Sequence, residues 1–103
     1  MIDFTPYKRE KPRTPRRIAV DFDGCLCKNR YPDIGEPNER LFKSLIKNRE
    51  DGDFIILWTC RSGKELMDAV KFCYDNGLVF DAVMGGKLSA NIYIDDKAVK
   101  PYW

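Results

Sequence analysis

Five consecutive apolar residues, Phe54-Ile55-Ile56-Leu57-Trp58, leave this chain few choices of fold. A run so short and so continuous suits a strand covered on both faces, the environment of a parallel sheet. A second run, Arg17-Ile18-Ala19-Val20, reads as a buried strand that ends in Asp21-Phe22-Asp23, and Gly24 breaks it. Phe80-Asp81-Ala82-Val83-Met84 and Asn91-Ile92-Tyr93-Ile94 read as two further short strands.

Helical spacing fills the intervals. Asn38 is placed to cap a helix with Glu39 in its first turn. Leu41, Phe42, Leu45 and Ile46 then share one face, and Asp51-Gly52 ends the helix. Ser62 is placed to cap a second helix. There Leu66, Val70 and Cys73 repeat with Met67 and Tyr74 alongside, and Asn76-Gly77 is the stop. Residues 25–36 contain Pro32 and Gly35 without a clear period and are predicted to be a loop.

Strands alternating with helices predict an α/β domain with a parallel sheet and right-handed crossovers. Ligands of such sheets bind beyond the carboxyl ends of the strands. The polar residues collect there: Asp21 and Asp23 after the first strand, Thr59 and then Arg61 after the second, Lys87 before the last, and Asp95-Asp96 after it.

The 103 residues fit one small domain, and 44% hydrophobic with 33% charged residues is a globular balance. No apolar run approaches the roughly 20 residues that span a bilayer, and the first residues lack the apolar stretch of a secretory signal. A soluble, cytoplasmic protein with no membrane partner is expected. Reduced thiols are then expected at Cys25, Cys27, Cys60 and Cys73, and small, partly buried thiols are preferred to a metal site built from the first three. The absence of histidine removes Ser-His-Asp and Cys-His catalysis and histidine-ligated zinc. Residues 1–17 carry six basic side chains against Asp3 and Glu10 and are net +4, so the remainder is net −2 in a chain of net +2. The basic, proline-bearing segment 1–16 reads as a solvated tail, with an acidic protein or nucleic acid as its candidate partner.

Carboxylates gathered at one sheet edge repel one another unless a cation sits among them, and hard oxygen donors favour Mg²⁺. Asp21 and Asp23 can share one side where strand geometry persists. One carboxylate can attack phosphorus, while the second protonates the leaving oxygen and later activates water. A hydroxyl at Thr59 and a cation at Lys87 suit phosphate oxygens.

From Arg17 to Asp96 these motifs resemble the haloacid dehalogenase (HAD) superfamily of phosphatases and phosphotransferases. The family's Asp-x-Asp motif stands as Asp21-Phe22-Asp23-Gly24, its strand-ending hydroxyl as Thr59, its lysine as Lys87 and its acidic pair as Asp95-Asp96. The pattern is similar to the smallest members, those with minimal or no cap. The resemblance implies a Rossmann-like three-layer sheet over residues 17–103 and a Mg²⁺-dependent phosphomonoester hydrolase. Asp21 would be the nucleophile and Asp23 the general acid/base. Thr59 and Lys87 would bind phosphate, and the metal would be held by Asp21, the Asp23 backbone carbonyl and Asp95, with Asp96 direct or through water. Cys25, where the family usually has threonine, and Arg61 are candidate substrate contacts. Lys28, Arg30 and Tyr31 fall where the family builds a substrate-facing flap.

The natural phosphate ester and the oligomeric state are not implied. Two other readings keep the fold: a non-catalytic binding or scaffold module, and a phosphatase acting on a nucleotide or a nucleic-acid end with help from a partner. A signalling receiver domain is disfavoured because its acidic pair comes first and its lysine last, the reverse of the order here.

Overall fold

The computed structural model describes residues 14–85 and 92–94. In chain order the elements are β1 (Arg17–Val20), β2 (Cys27–Arg30), β3 (Asp33–Pro37), α1 (Glu39–Glu50), β4 (Phe54–Trp58), α2 (Gly63–Asp75), β5 (Ala82–Met84) and β6 (Ile92–Ile94). Four strands form one parallel sheet in the order β5-β4-β1-β6, so the protein is a small α/β fold. β1 is central. Ile18 faces Ile55 on one side and Ile92 on the other, and Val20 lies between Leu57 and Ile94.

Ile18, Val20, Ile55 and Leu57 turn to one face and join Leu41, Phe42 and Leu45 of α1 and Ala69 and Cys73 of α2 in the core. Both helices therefore pack on the same face. The cause is topological: β1 to β4 and β4 to β5 step the same way across the sheet, and crossovers of one hand then fall on one side. Among the described residues the helices thus cover one face of the sheet. Ala19 and Ile56 point to the opposite face and are also buried.

The helix boundaries follow the capping residues. The Asn38 side chain accepts from the Leu41 N–H and caps α1. Asp51 ends α1 before Gly52, and Asn76 ends α2 before Gly77. Ser62 occupies the cap position of α2 in extended conformation, but its side chain makes no capping bond. Met67 and Tyr74, predicted to lie alongside the packed face of α2, are instead 73% and 67% exposed.

The predicted loop 25–36 is corrected to an antiparallel hairpin of β2 and β3, with Asn29 opposite Ile34 and Arg30 opposite Asp33. At its base the strands approach so closely that a side chain on Gly35 would overlap the Lys28 carbonyl.

At the amino edge of the sheet two carboxylates act as staples. The Asp53 side chain is fully buried and accepts from the backbone and guanidinium of Arg16 and from Asn48. Arg16, assigned to the tail by sequence, is therefore held to the domain. Asp81 accepts from the Ile55 N–H at 2.9 Å and from Arg49 at 3.0 Å, tying the entry of β5 to β4 and α1.

Candidate phosphoryl-transfer site

Three segments meet at the carboxyl edge of the sheet. The chain leaves β1 through Asp21, whose N–H donates to the Ile94 carbonyl at 2.9 Å. This bond fixes the start of the acidic motif to the last residue of β6. Phe22 then turns inward, fully buried, and stacks edge-on against Phe72 at 5.9 Å between ring centroids. With Phe22 inside, Asp21 and Asp23 emerge together on the outer side, both half-buried. The alternation of a strand thus persists past the end of β1.

A tight turn follows. The Phe22 carbonyl accepts from Cys25 at 3.1 Å and from Leu26 at 3.0 Å, and Gly24 takes φ +86°. Asp21 Oδ1 accepts from the Phe22 N–H at 2.7 Å.

Thr59 follows β4 at the same edge of the sheet. Its N–H donates to Met84 at 3.1 Å, and its hydroxyl oxygen accepts from the Arg61 N–H at 3.1 Å. Thr59 lines a pocket of about 420 Å³ with Cys60, Arg61, Ser62, Leu66, Val83, Met84 and Gly85.

Arg61 dominates the geometry. Its Nη2 and Nε donate to Asp23 Oδ1 and Oδ2 at 2.7 and 2.9 Å, a two-pronged ion pair. Its remaining donors reach the carbonyls of Pro32 at 3.1 Å and Asp33 at 2.8 Å in the hairpin. The guanidinium also lies 4.9 Å from the Phe22 ring centre and 5.0 Å from that of Tyr31. The bonds to Asp23 push the Arg61 pKa above its ordinary value despite the cost of burial, so the group stays charged.

Two predicted substrate contacts are buried in this structure. Cys25 is fully buried, and its carbonyl accepts from the Asn38 side chain at 3.1 Å; it supports α1 rather than meeting a ligand. The Arg61 side chain is 1% exposed and engaged with protein acceptors, so it organises the site from within. Asp21, Asp23 and Thr59 are brought to one edge. Lys87, Asp95 and Asp96 lie outside the described residues.

Among the described residues no three His, Cys, Asp or Glu side chains gather as a metal site. Of the predicted magnesium ligands among them, Asp23 has both carboxylate oxygens engaged by Arg61, which leaves its expected backbone-carbonyl role untouched and Asp21 as the side-chain donor. Cys25, Cys27 and Cys73 are buried and Cys60 is exposed, all as free thiols.

A conserved protein of Bacteroides thetaiotaomicron has a solved structure that matches this one with a TM-score of 0.77 and 34% sequence identity, over 85% of this chain and 81% of that one. The chain belongs to the same family as that protein. No family model matches the chain, and no curated protein matches it. No helix among the described residues is long and apolar enough to cross a membrane.

The feature that sequence reasoning missed in this family member is the Arg61 node. Its only local signal is an arginine two residues beyond a threonine that follows a strand, while its partners in the acidic turn and the hairpin lie 28 to 38 residues away.

Proposed function

We propose that the protein is a magnesium-dependent phosphomonoester hydrolase of the HAD type, with Asp21 as nucleophile. The observation that carries this reading is the 2.9 Å bond from the Asp21 N–H to the Ile94 carbonyl. It sets the acidic motif against the strand that runs directly into Asp95-Asp96 in the sequence, while Thr59 follows the strand on the other side of β1.

In this reading an Asp21 carboxylate oxygen attacks phosphorus and the ester P–O bond breaks. Asp23 delivers a proton to the leaving oxygen, then takes one from the water that attacks phosphorus and frees both phosphate and Asp21. Asp23 must release one of its two Arg61 bonds to carry that proton. The Thr59 hydroxyl and Lys87 would hold the phosphate oxygens. Mg²⁺, held by Asp21 with Asp95 and Asp96, would offset the charge of the phosphate among carboxylates.

The test is hydrolysis of a generic aryl phosphate by the wild type with Mg²⁺, by the wild type with chelator, and by Asp21→Asn. Turnover in the first alone supports the proposal; equal background rates in all three refute it. The two-pronged Arg61–Asp23 pair favours one second reading, a non-catalytic module that keeps the fold, because it engages the carboxylate that catalysis needs. Equal background rates are the outcome that reading requires.

A further inference from the structure

The outward side of α2 combines an apolar strip with a row of alternating charges. Met67 and Tyr74 are 73% and 67% exposed, and Val83 and Met84 of the adjacent β5 are 41% and 42% exposed. Leu66, Met67, Val70, Lys71, Tyr74 and Val83 line a shallow, largely apolar groove of about 460 Å³. β5 ends the strand order of the sheet, so the strip runs along an edge of the domain. Scattered apolar residues on a surface need no explanation, whereas a contiguous strip rimmed by charge marks an interface.

The charges name the occupant. Lys64, Asp68, Lys71 and Asp75 recur at spacings of four, three and four and so form one stripe beside Met67 and Tyr74. Within the helix they pair as Lys64–Asp68 at 2.8 Å and Lys71–Asp75 at 2.9 Å, all four well exposed. Along the stripe the signs run plus, minus, plus, minus. Read in reverse they run minus, plus, minus, plus. A second copy laid antiparallel therefore sets opposite charges against each other along the whole row, and a parallel copy sets like against like.

We propose that this face of α2 is a self-complementary interface through which two copies of the chain associate about a two-fold axis, their α2 helices antiparallel. Lys64 then meets the partner's Asp75 and Asp68 meets the partner's Lys71, each contact occurring twice, as an isologous interface requires. Met67 packs near the partner's Tyr74. Burial of the apolar strip supplies the affinity, and the exposed charges set orientation and partner choice. The proposal goes beyond the phosphatase reading and is independent of it.

Sedimentation of the full chain from micromolar to millimolar concentration tests it, with circular dichroism confirming that each variant is folded. The wild type should show a monomer–dimer equilibrium, and Met67→Lys should be monomeric throughout. Asp68→Lys alone places like charges together twice and should raise the dissociation constant roughly tenfold or more. The double variant Asp68→Lys/Lys71→Asp restores opposite charges across the axis while removing both ion pairs within α2. It should recover most of the lost affinity even as the helix itself is weakened. A wild type that stays monomeric over the whole range, or a double variant no tighter than Asp68→Lys, would overturn the proposal.

Discussion

Arg61 binds Asp23 through two parallel hydrogen bonds of 2.7 and 2.9 Å, and with the same guanidinium holds the Pro32 and Asp33 carbonyls of the hairpin. One side chain after β4 thus fixes both the acidic turn after β1 and the β2–β3 flap. Replacing it severs both connections at once. Arg61→Met should cost about 2–3 kcal/mol, less than the roughly 3–5 for a wholly buried pair, because Asp23 is 19% exposed and can regain water. Arg61→Lys keeps the charge but cannot span the same acceptors and should fall between the wild type and Arg61→Met. Urea denaturation measures the loss. Faster amide exchange confined to β2 and β3 is the signature of a released hairpin, and unchanged exchange there would show that Arg61 does not hold it.

Gly35 and Gly24 are required for different reasons, and substitution separates them. A methyl group at Gly35 meets the backbone of Lys28, which cannot yield without parting the two strands. Gly24 has nothing within 4 Å of the added carbon, but its φ of +86° strains any other residue. Gly24→Ala should therefore cost only about 1–2 kcal/mol with the hairpin intact. Gly35→Ala should cost about 1–3 kcal/mol and also disturb the β2–β3 pairing. Comparison of urea midpoints with backbone chemical shifts of residues 27–37 checks the distinction.

The parallel sheet and the placing of Asp21, Asp23 and Thr59 were legible because they rest on local signals: continuous apolar runs, and polar residues where the runs stop. The ends of α1 and α2 were legible for the same reason, since Asn38, Asp51-Gly52 and Asn76-Gly77 act within one turn. The hairpin was not. Cys27-Lys28-Asn29-Arg30 is mostly polar, β3 contains Gly35 and Pro37, and a bulge interrupts the register, so no alternation remains to be read. Its anchor is Arg61, distant in sequence, and no local pattern encodes that bond. Exposure of Met67 and Tyr74 was also hidden, because helical period alone does not say how wide a stripe the sheet covers.

Asn38 links the acidic turn to α1. Its Oδ1 accepts from the Leu41 N–H at 3.2 Å, its Nδ2 donates to the Cys25 carbonyl at 3.1 Å, and its own N–H donates to Leu26 at 2.8 Å. Asn38→Asp keeps the cap acceptor and loses the donor to Cys25, whereas Asn38→Ala loses both. The alanine variant should be destabilised by about 1–2 kcal/mol or more, the usual worth of a cap with a buried acceptor left unpaired besides. Thermal melts measure the loss: an Asn38→Ala variant as stable as the wild type would show that the cap contributes nothing here, while Asn38→Asp adds the cost of a buried carboxylate set against the Cys25 carbonyl.

The four thiols divide by burial. Cys60 is exposed, while Cys25, Cys27 and Cys73 are enclosed in the core. Burial pushes the Cys27 and Cys73 thiols above their ordinary 9.0. A thiol reagent should therefore modify one cysteine rapidly in the native protein. The other three should react slower by about a thousandfold or more, because reaction waits on opening of a structure stable by several kcal/mol. In denaturant all four should react together. The same burial gives stability a pH dependence of definite sign. Below pH 9 the thiols are protonated in both the folded and the unfolded chain, and their contribution is fully present. Above it the unfolded thiols release protons that the folded ones retain, so the unfolded state binds fewer protons and stability falls as pH rises. Urea midpoints between pH 8 and 10.5 should decline, and Cys73→Ser should flatten the slope even though it lowers stability at neutral pH. A decline just as steep without that thiol would assign the alkaline transition to other groups.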